Sequence, residues 1–486
     1  MLRTSCVVIF LSVLASAAIA ADATSAAPAT QAVTEVLVDN INTRAWKQSS
    51  FRASPDSRHI AYVLQDGNKQ RVILDGARGK AYDDIGVYAN FFSPDRRRTA
   101  YIAQQKGKWY AVIDGKEEGP YEALVSPLFS PDSKRVAYKA MTADGNISVI
   151  INGVAGKPYD SIVIRSIVFS PDSRRIGYVA RRQESGRAPV EFVVVDGTEG
   201  SPYDAIGEDT LSFSPDGQRV AYRAMLNEKE FAVIDGKEQP RYDGINTIHP
   251  VFSPDSKHVA YIAERGSRQF VVLDGKEGSA HGSIQSALPQ FSPDSRHIAF
   301  IAQHNEQYYI VMDDQPGGKY DTITIGGLTF SPDSKHVAFV GKRGDKHLLV
   351  MDGKTYATHD YIGALAEPFS PDNTRFAYRA GASDKVFAVV DGEQQQGYDA
   401  IGEESPAFSP DGKHVAYRAL AGTTMYVVVD GTPGPPYDLI LNSVRFDGSE
   451  GLHYVAFKDD KAYLVSHTLQ QQDAVSASAA LVAVLH

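Results

Sequence analysis

The sequence predicts an all-β chain, folded as a β-propeller of about eleven four-stranded blades. Three observations carry this expectation. The tripeptide Ser-Pro-Asp begins at Ser54, Ser93, Ser130, Ser170, Ser214, Ser253, Ser292, Ser331, Ser370 and Ser409, and a degenerate copy follows at Phe446-Asp447-Gly448-Ser449. The spacings are 39, 37, 40 and 44 residues and then 39 five times. Each copy is followed by the same order of apolar runs and turn residues, with no helical periodicity of useful length after the first twenty positions. Four short strands every ~40 residues is the signature of stacked blades. A solenoid needs shorter coils, and a sandwich does not repeat ten times.

Each piece of the unit has a local reason. In the copy around Ser253, a short strand ends at Phe252 and Ser253-Pro254-Asp255-Ser256 turns the chain. Proline presets φ for a tight turn, while Ser and Asp side chains bond neighbouring amides. A second strand follows over 258–263, then a polar hairpin tip at 264–267, then a third strand running into Asp274-Gly275. Asp-Gly tolerates the positive φ that a tight hairpin requires. A fourth, weaker strand is expected where most units carry Tyr-Asp-x-Ile, such as Tyr242-Asp243-Gly244-Ile245. The strands are rich in Val, Ile, Tyr and Phe, and runs such as 192–196 (FVVVD) do not alternate with polar residues. A strand covered on both faces is implied, as stacking between blades would provide.

The eleventh unit offers strands around 444–446, 453–457 and 462–467 and no Asp-Gly turn, while 34–39 (TEVLVD) forms an orphan strand before the first unit. The two ends are therefore expected to complete one blade together. Because rings usually hold four to eight blades, the expectation is two tandem rings of five and six, with one large ring as the alternative.

The termini set the compartment. Residues 1–20 carry one charge, Arg3, followed by an apolar run closing on Ala18-Ile19-Ala20, the pattern of a cleaved signal peptide. Residues 21–33 read as a disordered linker, 34–468 as the repeat array and 469–486 as a tail, either loose or a docking strand. The only cysteine, Cys6, leaves with the leader, so neither disulfide nor thiolate metal chemistry is expected of the mature chain. The formal net charge is −10, and losing Arg3 makes it −11. An acidic chain without basic blocks is a poor binder of nucleic acid or anionic membrane. A periplasmic location is expected, with secretion as the alternative, and no membrane insertion after signal cleavage.

The pattern FSPDS-K/R-x-V-A-Y, written at 252–261 and echoed at 408–417, resembles the propeller repeats of TolB-like proteins. It is similar also to the propellers of prolyl oligopeptidase relatives and, more distantly, to WD repeats. The resemblance covers about 34–468 and implies the fold rather than an activity. It lacks a counterpart of the TolB amino-terminal domain, and the Gly-x-Ser-x-Gly elbow of a hydrolase domain is absent from the sequence.

Candidate sites follow from departures from the repeat. Ser-Pro-Asp and Asp-Gly are expected on one face of the ring, and the hairpin tips on the other. The tips differ between copies, as at 65–69, 142–146, 264–267 and 341–346. The insertion behind the 44-residue spacing carries Arg181, Arg182 and Arg187, three cations suited to an acidic partner. The Tyr-Asp pairs and the histidines His59, His258, His297, His336 and His414 recur at fixed positions, which points to blade architecture rather than catalysis. His281 and His359 occupy the tyrosine slot. No catalytic residue, metal ligand or cofactor site is read from the sequence. The expectation is a non-enzymatic scaffold binding a protein or cell-envelope component through its variable face; the alternative is a glycan lyase or hydrolase with a site at a ring mouth.

Overall fold

The computed structural model describes residues 32–40, 50–86, 91–125, 127–183, 186, 188–246, 249–285, 288–404, 406–449 and 451–469. They form eleven antiparallel sheets arranged in a ring, and no α-helix occurs among them. We call the strands of each blade a to d in order from the axis outward.

Blade six shows the plan. Strand a comes in two pieces, Gly244–Ile245 and Val251–Phe252, both paired with strand b, Val259–Arg265. Strand c is Arg268–Leu273, and strand d begins at Lys276–Glu277 directly after the Asp-Gly turn. This corrects one expectation. Tyr-Asp-x-Ile is not a single strand: its tyrosine ends the fourth strand, as Tyr320 ends Gln315–Tyr320, and the chain then crosses to the next blade. Tyr242 bridges Glu230 on strand c of blade five, and Gly244-Ile245 already pairs in blade six.

Interiors lie between blades rather than within them. In strand c of blade four, Phe192 and Val194 pack towards blade three, whereas Val193 packs with Tyr203, Ile206 and Phe231 of blades four and five. A continuous apolar run is thus two alternating sets, one for each neighbour. Every side chain of this size buried adds about 1.5–3 kcal/mol, offset by ordering entropy.

Closure follows the expected route. Ala32–Asn40 is strand d of blade eleven, antiparallel to Lys461–Thr468, from Ala32 opposite Thr468 to Asn40 opposite Lys461. Apolar clusters join each blade to the next, and one joins Ile60, Tyr62 and Ile73 of blade one to Val455, Phe457 and Ala462 of blade eleven. Among the described residues no cluster links blade five or six back to blade one. The contacts therefore follow one ring of eleven, not the tandem rings of five and six. The usual blade number is no physical limit, since a small change in wedge angle at each interface widens the ring.

Candidate functional site

Two faces emerge from the turns. On one, which we call the corner face, each Ser-Pro-Asp turn is closed internally. Ser253 Oγ donates to Asp255 Oδ1 at 2.6 Å and accepts from the His258 amide at 2.9 Å. The aspartate of the following Asp-Gly turn then receives the residue after Ser-Pro-Asp-x-x. Asp274 Oδ1 accepts the Val259 amide at 2.9 Å, and Oδ2 lies 2.6 Å from His258 Nδ1. His59, His297, His336 and His414 make the same contact at 2.6–2.7 Å, and Arg98, Arg175, Arg219 and Arg375 replace histidine in other blades. The turns are also tied around the ring, as by Asp255 N to Ser295 Oγ at 3.0 Å and Asp294 N to Ser334 Oγ at 2.9 Å. The recurring histidines and carboxylates are occupied by one another.

The opposite face carries the hairpin tips. Here the aspartates of the Tyr-Asp pairs act as staples. Asp243 accepts the Gly266 amide of its own blade's tip at 2.7 Å and the Lys229 ammonium of the preceding blade at 2.6 Å. Asp399 does the same with Gly422 and Lys385, and Asp321 holds Gly344 at 2.7 Å. The Gly266 amide and then Lys229 hold the Asp243 carboxyl below the usual range. The tyrosine before each staple packs edge-on against the next blade, Tyr242 on Tyr261 at 6.3 Å and Tyr437 on Tyr454 at 5.9 Å. Such pairs add ~0.5–1.5 kcal/mol to the area they bury. His281 and His359 fill this slot, against Phe300 at 5.5 Å and Tyr378 at 5.9 Å, and burial pulls both imidazoles down.

The arginines of the insertion sit differently from the expectation of one projecting tip. Arg181 and Arg182 end strand b of blade four, Ile176–Arg182. Arg181 Nε donates to Glu191 Oε1 at 3.0 Å, and Glu191, itself buried, accepts the Ile206 amide of blade five at 2.8 Å. Gln70, Glu230 and Gln269 make the equivalent bond to Ile85, Ile245 and Ile284. Arg181 is thus the counter-charge of an inter-blade capping carboxylate. Arg182 Nη2 bonds Glu199 at 2.8 Å and lies over the Phe192 ring, as Arg265 does with Glu277 and Phe270. Arg187 lies outside the described residues.

A set of cations missed by the sequence reading lies on strand b near the axis. Arg223, Arg379 and Arg418 reach across an interface to the strand-a carbonyls of Ile245, Ile401 and Ile440 at 2.8–2.9 Å, and Lys139 bonds that of Ile162. Other blades carry Val or Ile here. The signal was present in the sequence: each of these arginine blades has Gly after its first strand-a isoleucine, at Gly207, Gly363 and Gly402. A Cβ at Gly363 falls 2.6 Å from Arg379 Nε.

A cleft of ≈ 180 Å³ between blades four and five is lined by Val163, Arg165, Ser166, Asp209, Thr210 and Leu211. It is below the size of ordinary small-molecule sites. Among the described residues no three His, Cys, Asp or Glu side chains group as a metal site.

No protein-family model matches this chain. No curated protein matches it either. Among solved structures, a eukaryotic initiation factor is similar at 13% identity, covering 64% of this chain and 86% of that one, with a TM-score of 0.39. TolB from Acinetobacter baumannii is similar at 16% identity, covering 77% and 80%, with a TM-score of 0.24. These likenesses are too distant to bear on function. The propeller architecture rests on the blades themselves.

Proposed function

We propose that the chain is an exported, periplasmic binding scaffold that recognises a protein or envelope component through the face bearing its hairpin tips. One observation carries the reading. The recurring polar groups of the corner face satisfy each other, whereas the tips are stapled at their base and free to differ beyond it. Rigid positioning of variable loops is how scaffolds present binding residues. Export rests on the leader at 1–20, and sequencing the mature amino terminus is expected to start at Ala21.

The test is site-directed photo-cross-linking in intact cells. Probes at tip positions 227, 267 and 345 are expected to capture one shared species, and probes at corner positions 257, 296 and 335 none. Capture from the corner face alone overturns the assignment. Turnover of a panel of chromogenic glycosides and esters by the purified protein overturns the non-enzymatic reading.

A further inference from the structure

The outer strand of blade eleven differs from every other outer strand described. Ala32–Asn40 runs nine residues as AVTEVLVDN, while the other d strands extend two or six. Most of the six-residue ones are blunted by charge, glycine or proline: Ala77–Tyr82 carries Arg78 and Lys80, Lys116–Tyr121 carries Gly119-Pro120, and Gln315–Tyr320 carries Pro316-Gly317-Gly318. These are the usual defences of a sheet edge. Ala32–Asn40 has neither glycine nor proline; its one charge near the centre, Glu35, is engaged by the Tyr437 hydroxyl, and a bulge falls between Leu37 and Asp39. Val36 and Leu37 are 54% and 48% exposed, one on each face of a strand whose only strand partner among the described residues is Lys461–Thr468.

The chain supplies a matching strand. Thr468 stands opposite Ala32, so the described chain ends, at Leu469, next to the start of this outer strand. Positions 474–485 read AVSASAALVAVL, twelve residues without charge, proline or glycine. Passing over one strand to the far edge spans ~10 Å at ~4.8 Å per strand. The four residues 470–473 reach ~13 Å when extended. The twelve residues that follow are long enough to match the nine of Ala32–Asn40, and entry from that end would set a docked strand parallel to it. Tethering makes this docking intramolecular, which favours it over any free strand.

We infer that 474–485 docks as a fifth strand on Ala32–Asn40 of the same chain, covering Val36 and Leu37. The inference rests on the fold and not on the binding function above. Hydrogen exchange followed by mass spectrometry tests it on the mature chain, on a chain ending at Leu469, and on Ala479→Pro. Amides of 33–38 are expected to exchange about tenfold faster in both variants than in the full chain, at unchanged melting temperature and independent of protein concentration. Equal exchange in all three overturns the inference. Protection that rises with concentration assigns the edge to a second copy and overturns it as well.

Discussion

Tyr437 donates its hydroxyl to Glu35 at 2.5 Å, across 402 residues of chain. Tyr82 bonds Glu117 at 2.7 Å and Tyr242 bonds Glu277 at 3.1 Å, each from the end of one blade's outer strand to the outer strand of the next. Glu35 therefore does for the closing blade what a neighbouring repeat does elsewhere, although it precedes the first repeat. The amino-terminal strand copies the chemistry of the unit as well as its shape.

Closure can be weighed by removing that carboxylate. Tyr437 is buried to 1% exposure, so Glu35→Ala leaves its hydroxyl without this partner. The expected loss is about 1–3 kcal/mol in urea unfolding. Glu35→Ala with Tyr437→Phe is expected to cost less than the two changes summed. Deleting 32–40 removes a whole strand and is expected to lower the melting temperature far more. An unchanged midpoint for the deletion means that the ring is not held there.

The axial arginines make a second case. Gly363 clears space for Arg379, whose Nη1 bonds Ile401 O at 2.8 Å. Gly363→Ala alone is expected to destabilise by about 1–3 kcal/mol through overpacking. In an Arg379→Val background, which resembles blades four and eight, the same change is expected to cost well under half as much. Additive losses in this double-mutant cycle contradict the coupling.

Much of this was legible from sequence, for reasons that lie in particular residues. Ser-Pro-Asp and Asp-Gly announce themselves because their backbone demands are local, and the closing strand because the eleventh unit lacked one. Tyr-Asp-x-Ile was assigned to one blade because pieces as short as Gly244–Ile245 leave no periodicity to read, while the crossing between blades is a tertiary event. Ring number depends on a small rotation at each interface, which no single residue encodes. Arg181 looked free because its partner Glu191 lies ten residues away across a long hairpin. Yet Arg181 and Glu191 stand directly opposite in the ladder, a pairing that hairpin register alone could have suggested.

The corner face yields a ranking. Gly217 and Gly412 hold the slot where most units have Ser, at φ +72° and +73°. A Cβ at Gly217 meets Asp172 Oδ1 at 2.5 Å, and one at Gly412 meets Asp372 Oδ1 at 3.0 Å. Both alanine variants carry the strain of a left-handed backbone, about 1 kcal/mol. Gly217→Ala is expected to lose more stability than Gly412→Ala by chemical denaturation, because its Cβ displaces a carboxylate. The reverse order refutes this account.

The closing blade also sets a pH limit. His467 is 1% exposed, its Nε2 lies 2.9 Å from the Tyr454 hydroxyl, and burial lowers it from 6.5 to about 4, with His453 adding a smaller push. An unfolded chain takes up this proton near pH 6.5, whereas the folded chain refuses it until about pH 4. Stability is therefore full above pH 6.5, falls as the pH drops through that window, and has lost about 3 kcal/mol below pH 4 from this group. Burial lowers His281, His359 and His453 too, so part of the slope is theirs. His467→Gln keeps an acceptor for Tyr454 without a titrating ring. Urea unfolding at pH 7.5 and 4.5 is expected to show a clearly smaller pH dependence for this variant than for the native chain. An equal dependence removes His467 as a source of acid sensitivity and returns that role to the other buried imidazoles.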